Sequence, residues 1–298
     1  MGTLQYATTF NNVLRELYGQ LLTSVDLFNS NQDLKIINGK DIKIPVLSVS
    51  GYKDHTRGAG FNSGTYSNDY ETKSLDHDRD IEFAIDPMDV DETNLVVSVG
   101  NIQNRFERTQ AIPELDCYTY SKLYAEAKRV GAVIDNTVLT TANILDKIDS
   151  DIEAFADAGV PLERLIMYAT SGVQKLIKNA DKIERTLDVS KGAALDRRVY
   201  GVDDIGKIVS VPKSRFQTKF DFTDGYKTTA AGKQINYIIV DPEAQVSRVK
   251  YSYINVFTPG TDSRTADRYM YQNRRYNGTF GIDQLLKQGV RINAEAEA

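Results

Sequence analysis

The sequence is poor in the residue types that build redox and catalytic sites. It has one cysteine, Cys117, and two histidines, His55 and His77, in 298 residues. A single cysteine cannot form an internal disulfide, which points to a reducing compartment, and its place in a helical pattern indicates a small packed residue and not a nucleophile. Both histidines lie in a loop-like stretch without a nucleophile or an orienting partner. We therefore expect them to be solvated and not catalytic.

The sequence also lacks membrane and cofactor signatures. No run approaches the roughly 20 apolar residues of a membrane span, and the first ten residues contain no basic segment followed by an apolar one. We therefore expect a soluble intracellular protein. Gly58, Gly60 and Gly64 miss the dinucleotide-binding spacing by one residue and precede no predicted helix, so no cofactor is expected. A net charge of −5 disfavours specific DNA binding.

Three aspartates come close to a calcium-binding pattern. Asp76, Asp78 and Asp80 have the spacing of the first three ligands of a calcium loop. Ile81 and Pro87 stand where that loop needs a glycine and a glutamate, so the match fails. A weak surface calcium site near these aspartates is left open.

A long amphipathic run, Asp89 to Ala127, divides the chain. Its apolar residues recur at spacings of three and four, which predicts one helix with a buried face; they include Leu95, Val99, Ile102, Phe106, Leu115, Tyr118 and Leu123. Asp89 or Asp91 can cap its start. Pro113 lies inside the pattern and predicts a bend.

The residues before this run read as extended arms. Residues 1–38 begin with an amphipathic helical pattern and continue into a polar, Asn-rich segment that is too short to form a core. Lys40 to Ser48 and Asp80 to Asp86 alternate as strands, and Pro45 places the first at a sheet edge. Gly51 to Asp78 between them predicts a long projecting two-stranded loop that lies on a neighbouring subunit.

Residues 134–245 have the pattern of an α/β unit. A helix through Ile144 and Phe155 is predicted to stop at Gly159, and Leu165 to Ala169 suits a buried strand. Ser171 can cap the next helix. Further strands are expected in two ranges, Val199 to Val211 and Ile235 to Val240. This alternation favours a mixed sheet covered by helices.

From residue 246 onward, tyrosines and arginines alternate in a β-rich pattern, and Asn277-Gly278 is a turn signal. Stacking on single-stranded nucleic acid is one interpretation of this mixture. For an acidic chain we favour the other, an amphipathic sheet whose arginines make inter-subunit ion pairs. The arginines concerned are Arg264, Arg268, Arg274 and Arg275.

The order of these parts resembles the major capsid protein of tailed double-stranded-DNA bacteriophages, of the Caudovirales siphophage type, with the Hong Kong 97-like fold. The phrases that carry the resemblance are ANILDKIDSDIEAFADAGVPLERLIMYATSGVQKLIKN (142–179), INYIIVDPEAQVSRVKYSYINVF (235–257) and RRYNGTFGIDQLLKQGVRIN (274–293). The resemblance implies an α+β fold with a long spine helix. Its parts would be an N-terminal arm (1–38), an E-loop (39–86), a peripheral domain (87–133 with 246–298) and an axial domain (134–245).

The function implied by the resemblance is structural and not enzymatic. Such a subunit forms hexamers and pentamers that close an icosahedral head shell in the virion, and it assembles in the host cytoplasm. Its partners would be other copies of itself, scaffolding, portal and decoration proteins, and packaged DNA contacted without sequence specificity. The residues expected at inter-subunit contacts are Lys53, Arg57, Phe61, Tyr66, Arg268, Arg274 and Arg275.

Two departures from the family pattern set further expectations. The arm begins almost at once, without the large scaffolding domain of some relatives, so we expect a separate scaffolding protein. The loop tip, Gly58 to Asn68, contains no lysine. Lys53 and Lys73 flank it and Asn273 and Asn277 lie far along the chain, but no glutamate can be matched, so we predict no covalent cross-link between subunits.

Two other functions stay open at this point. An encapsulin-like nanocompartment shares the fold and would enclose an enzyme instead of DNA. A cytosolic α/β enzyme would use residues 134–245 as its catalytic unit, although they offer no nucleophile, metal set or cofactor loop.

Overall fold

The computed structural model describes most of the chain after the first 21 residues. The described residues are 22–30, 41–55, 57, 61–92, 98–180, 205–261 and 266–296. The amphipathic pattern expected at the start of the N-terminal arm lies outside them, and so do Leu95 and Arg264.

The described residues form seven α-helices and twelve strands. The α-helices are α1 (Val25–Asn29), α2 (Pro87–Glu92), α3 (Val99–Phe106), α4 (Ile112–Val130), α5 (Ile144–Asp157), α6 (Ser171–Lys178) and α7 (Asp283–Gly289). The strands are β1 (Asp41–Val49), β2 (Tyr66–Ser74), β3 (His77–Ile85), β4 (Val133–Asp135), β5 (Ile166–Thr170), β6 (Lys207–Val211), β7 (Phe220–Asp221), β8 (Lys227–Thr228), β9 (Ile235–Val240), β10 (Gln245–Phe257), β11 (Tyr269–Gly281) and β12 (Val290–Ala294).

The long helix starts later than the sequence pattern suggests. Ser98 has an extended backbone, and its hydroxyl accepts a hydrogen bond from the N–H of Asn101, which caps α3. Asp89 lies in the separate short helix α2. The prediction of one helix from Asp89 is therefore wrong at its N-terminal end. From residue 99 to residue 130 the helix is continuous, and we call this rod the spine helix.

Pro113 sits inside the spine helix directly after a π-helical turn, Glu107–Ala111, in which the N–H of Ile112 donates to the carbonyl of Glu107. Proline has no N–H, so in a regular helix the carbonyl of Thr109, four residues earlier, would lose its partner. The hydroxyl of Tyr226 donates to that carbonyl at 3.2 Å. A local π turn and a distant tyrosine thus accommodate the proline within the rod.

A five-stranded mixed sheet forms the main core. Its order is β4-β12-β9-β5-β6, with parallel β4/β12 and β5/β6 pairs and antiparallel pairs elsewhere. Along β9, Ile238 and Val240 face the spine helix, whereas Tyr237 and Ile239 face α5 and α6. The expected mixed sheet covered by helices is confirmed. Strand β4 begins one residue before this unit and β12 comes from residues 290–294, so the sheet also includes a segment from far outside residues 134–245.

A second, three-stranded antiparallel sheet has the order β10-β11-β3. The turn predicted at Asn277-Gly278 is wrong, because both residues lie inside β11 opposite β10. A side chain at Gly278 would place its Cβ 2.3 Å from Leu75 Cδ2 and 3.1 Å from Leu75 Cα. The glycine is needed for close packing against the end of the β1–β2 hairpin and not for a turn.

Several shorter predictions agree with the structure. Helix α5 ends before Gly159, whose φ is +74°, and strands lie at Ile166–Thr170 and Ile235–Val240. The cap of α6 differs, because the hydroxyl of Thr170, and not that of Ser171, accepts from the N–H of Val173. The strand expected at 199–211 is described as Lys207–Val211, and its earlier part lies outside the described residues.

Replacing Gly278 with alanine should destabilise the folded subunit. The added methyl group meets Leu75 at less than contact distance, and overpacking of this kind costs about 1–3 kcal/mol. Urea unfolding of dissociated subunits measures this loss. Gly100→Ala, where the new Cβ meets nothing within 4 Å, is the control and should not lower stability. Equal midpoints for both variants would contradict the packing role of Gly278.

Candidate assembly surfaces

Strands β1 and β2 form an antiparallel hairpin, residues 41–74, with an apolar face in solvent. Val49 pairs directly with Tyr66, and alternation of side chains puts Leu47 and Tyr70 on the same face. The exposed fraction of the side chain is 69% for Val49, 82% for Tyr66, 67% for Leu47 and 56% for Tyr70. Large apolar side chains exposed together on one face indicate an interaction surface. A two-stranded hairpin is also marginal alone, so a partner on this face would stabilise it.

The end of the hairpin continues the apolar surface. Tyr52 and Phe61 are fully exposed. Lys53 folds back so that its Nζ donates to the carbonyl of Ser63 at 3.1 Å, which ties the two sides of the tip together. Aromatic rings on such a tip offer large contact areas at low entropic cost.

Ion pairs hold the base of the hairpin against the spine helix and α7. Lys73 Nζ lies 2.5 Å from Glu71 and 2.6 Å from Asp283, and Arg129 of the spine helix pairs with both Asp283 and Glu126. The hydrogen bond from Arg129, opposed in part by burial, lowers the pKa of Asp283 below its ordinary value of 3.8. The network fixes the direction in which the hairpin leaves the subunit.

A fully buried carboxylate, Glu107, joins the spine helix to the three-stranded sheet. It accepts hydrogen bonds from Arg275 at 2.7 Å and from Asn273 at 2.6 Å, and Tyr271 donates at 3.3 Å. A charge buried this deeply is tolerated only when it is paired and hydrogen-bonded. Burial and the nearby carboxylate raise the pKa of Tyr271, which keeps its hydroxyl a donor.

A second fully buried carboxylate, Asp116, joins the spine helix to two distant segments. The hydroxyls of Thr23 and Ser24 each donate to it at 2.8 Å, and Arg215 lies 3.0 Å away. Through these contacts the described end of the N-terminal arm is fastened to the middle of the spine helix.

His77 contradicts the expectation that both histidines are solvated. It is 7% exposed and stacks on Tyr118 with ring centroids 4.1 Å apart, and its Nε2 lies 3.4 Å from Glu114. Burial acts to raise the pKa of Glu114, but the hydrogen bond from His77 and the charge of Arg79 outweigh it, and the pKa is lowered. The residue is part of the packing between β3 and the spine helix.

The three aspartates of the calcium-like pattern do not share one site. Asp76 pairs with Lys122 at 2.6 Å, and Asp78 pairs with Arg274 at 2.6 Å. No group of three potential metal ligands occurs within the described part of the chain. The single cysteine, Cys117, is buried, and burial raises the pKa of its thiol.

The seven residues predicted at contacts fall into two sets. Lys53, Arg57, Phe61 and Tyr66 are exposed on the hairpin. The arginines are not one group: Arg268 is exposed, Arg274 pairs with Asp78 of its own chain, and Arg275 binds the buried Glu107.

Part of the hairpin surface could not be predicted from the sequence pattern. Leu47, Val49 and Tyr70 lie on the same face as Tyr66, and Lys73 anchors the base. The period-two pattern was visible in β1, but β2 reads as polar, because Asn68 separates its two tyrosines on one face and Ser67, Asp69, Glu71 and Lys73 occupy the other. The register that brings Val49 beside Tyr66 depends on a 16-residue connection without a turn signature.

Comparison of the fold with solved structures finds phage capsid proteins. The chain is similar to a subunit in the asymmetric unit of the bacteriophage PhiM1 mature capsid, with a TM-score of 0.66 and 14% identity over 87% of this chain and 83% of that one. It is also similar to a chain of the cyanophage P-SCSP1u capsid, with a TM-score of 0.58 and 13% identity over 89% of this chain and 86% of that one. A chain of Mycobacterium phage Ogopogo matches with a TM-score of 0.58 and 11% identity over 91% of each chain.

These similarities cover nearly the whole length of both partners, and the chain has the α+β fold of tailed-phage major capsid proteins, the Hong Kong 97-like fold expected from the sequence. No protein-family model and no curated protein sequence matches the chain. Among the described helices, none is both long and apolar enough to cross a bilayer.

Removing the carboxylate of Glu107 should be strongly destabilising. Glu107→Ala removes the buried acceptor to which Arg275, Asn273 and Tyr271 donate, and breaking a buried charge pair in this way costs about 3–5 kcal/mol. Denaturant unfolding of dissociated subunits measures the loss. Asp224→Ala, which breaks an exposed pair with Lys227, is the matched control and should change little. Similar losses for both variants would exclude Glu107 as an anchor.

Acid should weaken the subunit through Glu114 and Asp283. Both have a pKa below the ordinary values of 4.5 and 3.8, so the folded state binds fewer protons than the unfolded chain. Their stabilisation is complete above those values and is lost as the pH falls from about 5 through the lowered values. Asp283→Asn should flatten the pH dependence of the urea midpoint between about pH 5 and pH 3. An unchanged slope would contradict this assignment.

Proposed function

We propose that this chain is the major capsid protein of a tailed double-stranded-DNA bacteriophage. In this proposal it is a structural subunit that self-assembles as hexamers and pentamers into the icosahedral head shell. The observation that carries it is the projecting hairpin: a chain with the fold of phage capsid subunits exposes four large apolar side chains on one face of residues 41–74.

The energetics of the hairpin favour association between copies. Full burial of a Val, Leu or aromatic side chain contributes about 1.5–3 kcal/mol, so the four side chains of the exposed face could together supply several kcal/mol. Association itself costs about 4–15 kcal/mol. One hairpin contact is therefore marginal, and closed rings in which every copy both gives and receives a hairpin are stabilised together.

The contact residues proposed here are those that lie free of the subunit's own core. They are Lys53, Arg57, Phe61 and Tyr66 of the hairpin, together with Arg268. Arg274 and Arg275 were predicted in the same role; their ion pairs to Asp78 and Glu107 give them a function within the subunit as well.

We keep the division into arm, E-loop, peripheral and axial domains as a proposal. Strand β12 pairs with β9, so the last residues of the chain contribute to the axial sheet. The partners are other copies, a scaffolding protein, the portal, a decoration protein and packaged DNA, in a virion assembled in the host cytoplasm. An acidic subunit suits DNA contacts that are weak and non-specific. The proposal includes no covalent cross-link.

Assembly in a heterologous host tests the proposal directly. The chain is expressed with and without its scaffolding partner, and sedimentation with electron microscopy should find capsomers or icosahedral particles. Nuclease-protected DNA inside particles made during infection supports the phage head, whereas an enzyme cargo would indicate a nanocompartment. A small soluble oligomer that never forms particles would refute the structural role.

Charges placed on the apolar face of the hairpin should prevent assembly. In Val49→Asp/Tyr66→Asp two directly opposed side chains on that face become carboxylates. Burying them against a neighbour then carries a desolvation cost of several kcal/mol, and we expect at least a tenfold loss of particles in sedimentation while the subunit stays folded.

Ser48→Asp/Ser67→Asp provides the matched control. These two residues are also directly opposed and exposed, one position along each strand and on the other face. The same cross-strand repulsion is introduced in both variants. If the serine variant lost particles as completely as the valine and tyrosine variant, the apolar face would not be the assembly surface.

A further inference from the structure

A cleft of about 680 Å³ lies between the C-terminal half of the spine helix and the segment around β7. Among the described residues its rim carries one carboxylate, Asp76, and four lysines, which are Lys122, Lys128, Lys219 and Lys233. We call it the lysine cleft. A chain with a net charge of −5 thus concentrates positive charge at one place.

Two of the four lysines have no ion-pair partner among the described residues. Lys122 pairs with Asp76 at 2.6 Å, but Lys219 and Lys233 form no ion pair with any residue in the described ranges. Rings of Phe220 and Phe222 line the same cleft. The cleft therefore suits a ligand that carries several negative charges beside an apolar side chain.

The geometry favours carboxylates on a peptide over a phosphate. Many phosphate sites in proteins use the planar fork of an arginine or several converging backbone N–H groups. Among the described residues, no arginine lines the lysine cleft. Each lysine carries its charge at the end of a separate, flexible side chain. Several lysines can therefore form ion pairs with several carboxylates spread along a peptide.

The chain itself contains a segment of this chemistry. Residues 86–92, DPMDVDE, include four carboxylates around Met88 and Val90. Met88 is 65% exposed, and Asp89 is exposed beside it. We call these residues the acidic segment.

The cleft and the acidic segment lie at opposite ends of β3. Asp76 of the cleft directly precedes this strand, and Asp86 directly follows it. Nine residues of strand at about 3.3 Å each separate the two ends by roughly 30 Å. They cannot meet in one subunit, but they can meet between two. Such a contact joins two different surfaces of the same chain. When each copy makes it with the next copy and the rotation between copies closes, the copies form a ring.

We propose that the lysine cleft receives the acidic segment of a second copy of this chain. This rests on the proposed function, since copies must associate. Subunits with a net charge of −5 repel one another, and a contact that sets local positive charge against local negative charge reverses this at the interface. Met88 then occupies the aromatic side of the cleft.

A binding measurement on dissociated full-length subunits tests the proposal without requiring particles. The probe is a labelled peptide of residues 84–94, followed by fluorescence anisotropy. We expect binding that weakens at least tenfold in Lys219→Glu/Lys233→Glu and weakens with added salt. A peptide with Asn and Gln in place of its carboxylates should not bind. Lys43→Glu/Lys287→Glu, which changes two exposed lysines outside the cleft, should bind as the unchanged subunit does.

Charge exchange tests the contact between copies. Lys219→Glu/Lys233→Glu and Asp89→Lys/Asp91→Lys should each reduce particle yield at least fivefold, and a mixture of the two variants or their combination in one chain should restore it. Restoration supports the proposal. If the mixture or the combined variant lowers the particle yield further instead of restoring it, the proposal is overturned.

Other outcomes are equally decisive. Equal peptide binding by the lysine variant, or equal binding of the uncharged peptide, would overturn the proposal. So would preferential binding of a duplex oligonucleotide at the cleft, which would make it a phosphate site. If the unchanged chain forms no particles but the peptide still binds as expected, the proposed function fails while the cleft keeps its ligand.

Discussion

The subunit depends on two carboxylates buried along one helix. Glu107 and Asp116 lie on the spine helix with no solvent exposure, and each is satisfied by groups from distant parts of the chain. Arg275 reaches Glu107 from the three-stranded sheet, and Arg215 reaches Asp116 from the segment before β7. Because a buried charge without its partners is so costly, these pairs require the arm, the sheets and the helix to take one relative arrangement.

The hairpin stands outside this arrangement. Its base is held by Lys73, Asp283 and Arg129, whereas Leu47 and Tyr66 along its length are exposed to water. The subunit thus combines a core fixed by buried ion pairs with a hairpin whose large apolar side chains lie in water. In the proposed assembly a neighbouring copy covers them, so the stability of the hairpin depends on protein concentration and on the number of copies already assembled.

Local signals were sufficient for part of the fold. Helix α5 ends before Gly159 and β9 forms where an apolar run predicts it, since both depend on residues close in sequence. Contacts across the chain decided the rest. Gly278 lies in a strand because β11 pairs there with β10, Pro113 is accommodated with the help of Tyr226, and His77 is buried against the spine helix. The overall architecture was predicted from the resemblance to phage capsid proteins, because the spacing of apolar residues within a segment does not show which distant segments pack together.

The most direct measurement is a cryo-electron-microscopy reconstruction of assembled particles, which traces residues 41–74 relative to their own core. Our account predicts that the hairpin extends over an adjacent subunit and buries Leu47, Val49, Tyr66 and Tyr70 there. A reconstruction in which the hairpin folds back on its own subunit, or leaves this face in solvent within a closed shell, would contradict it.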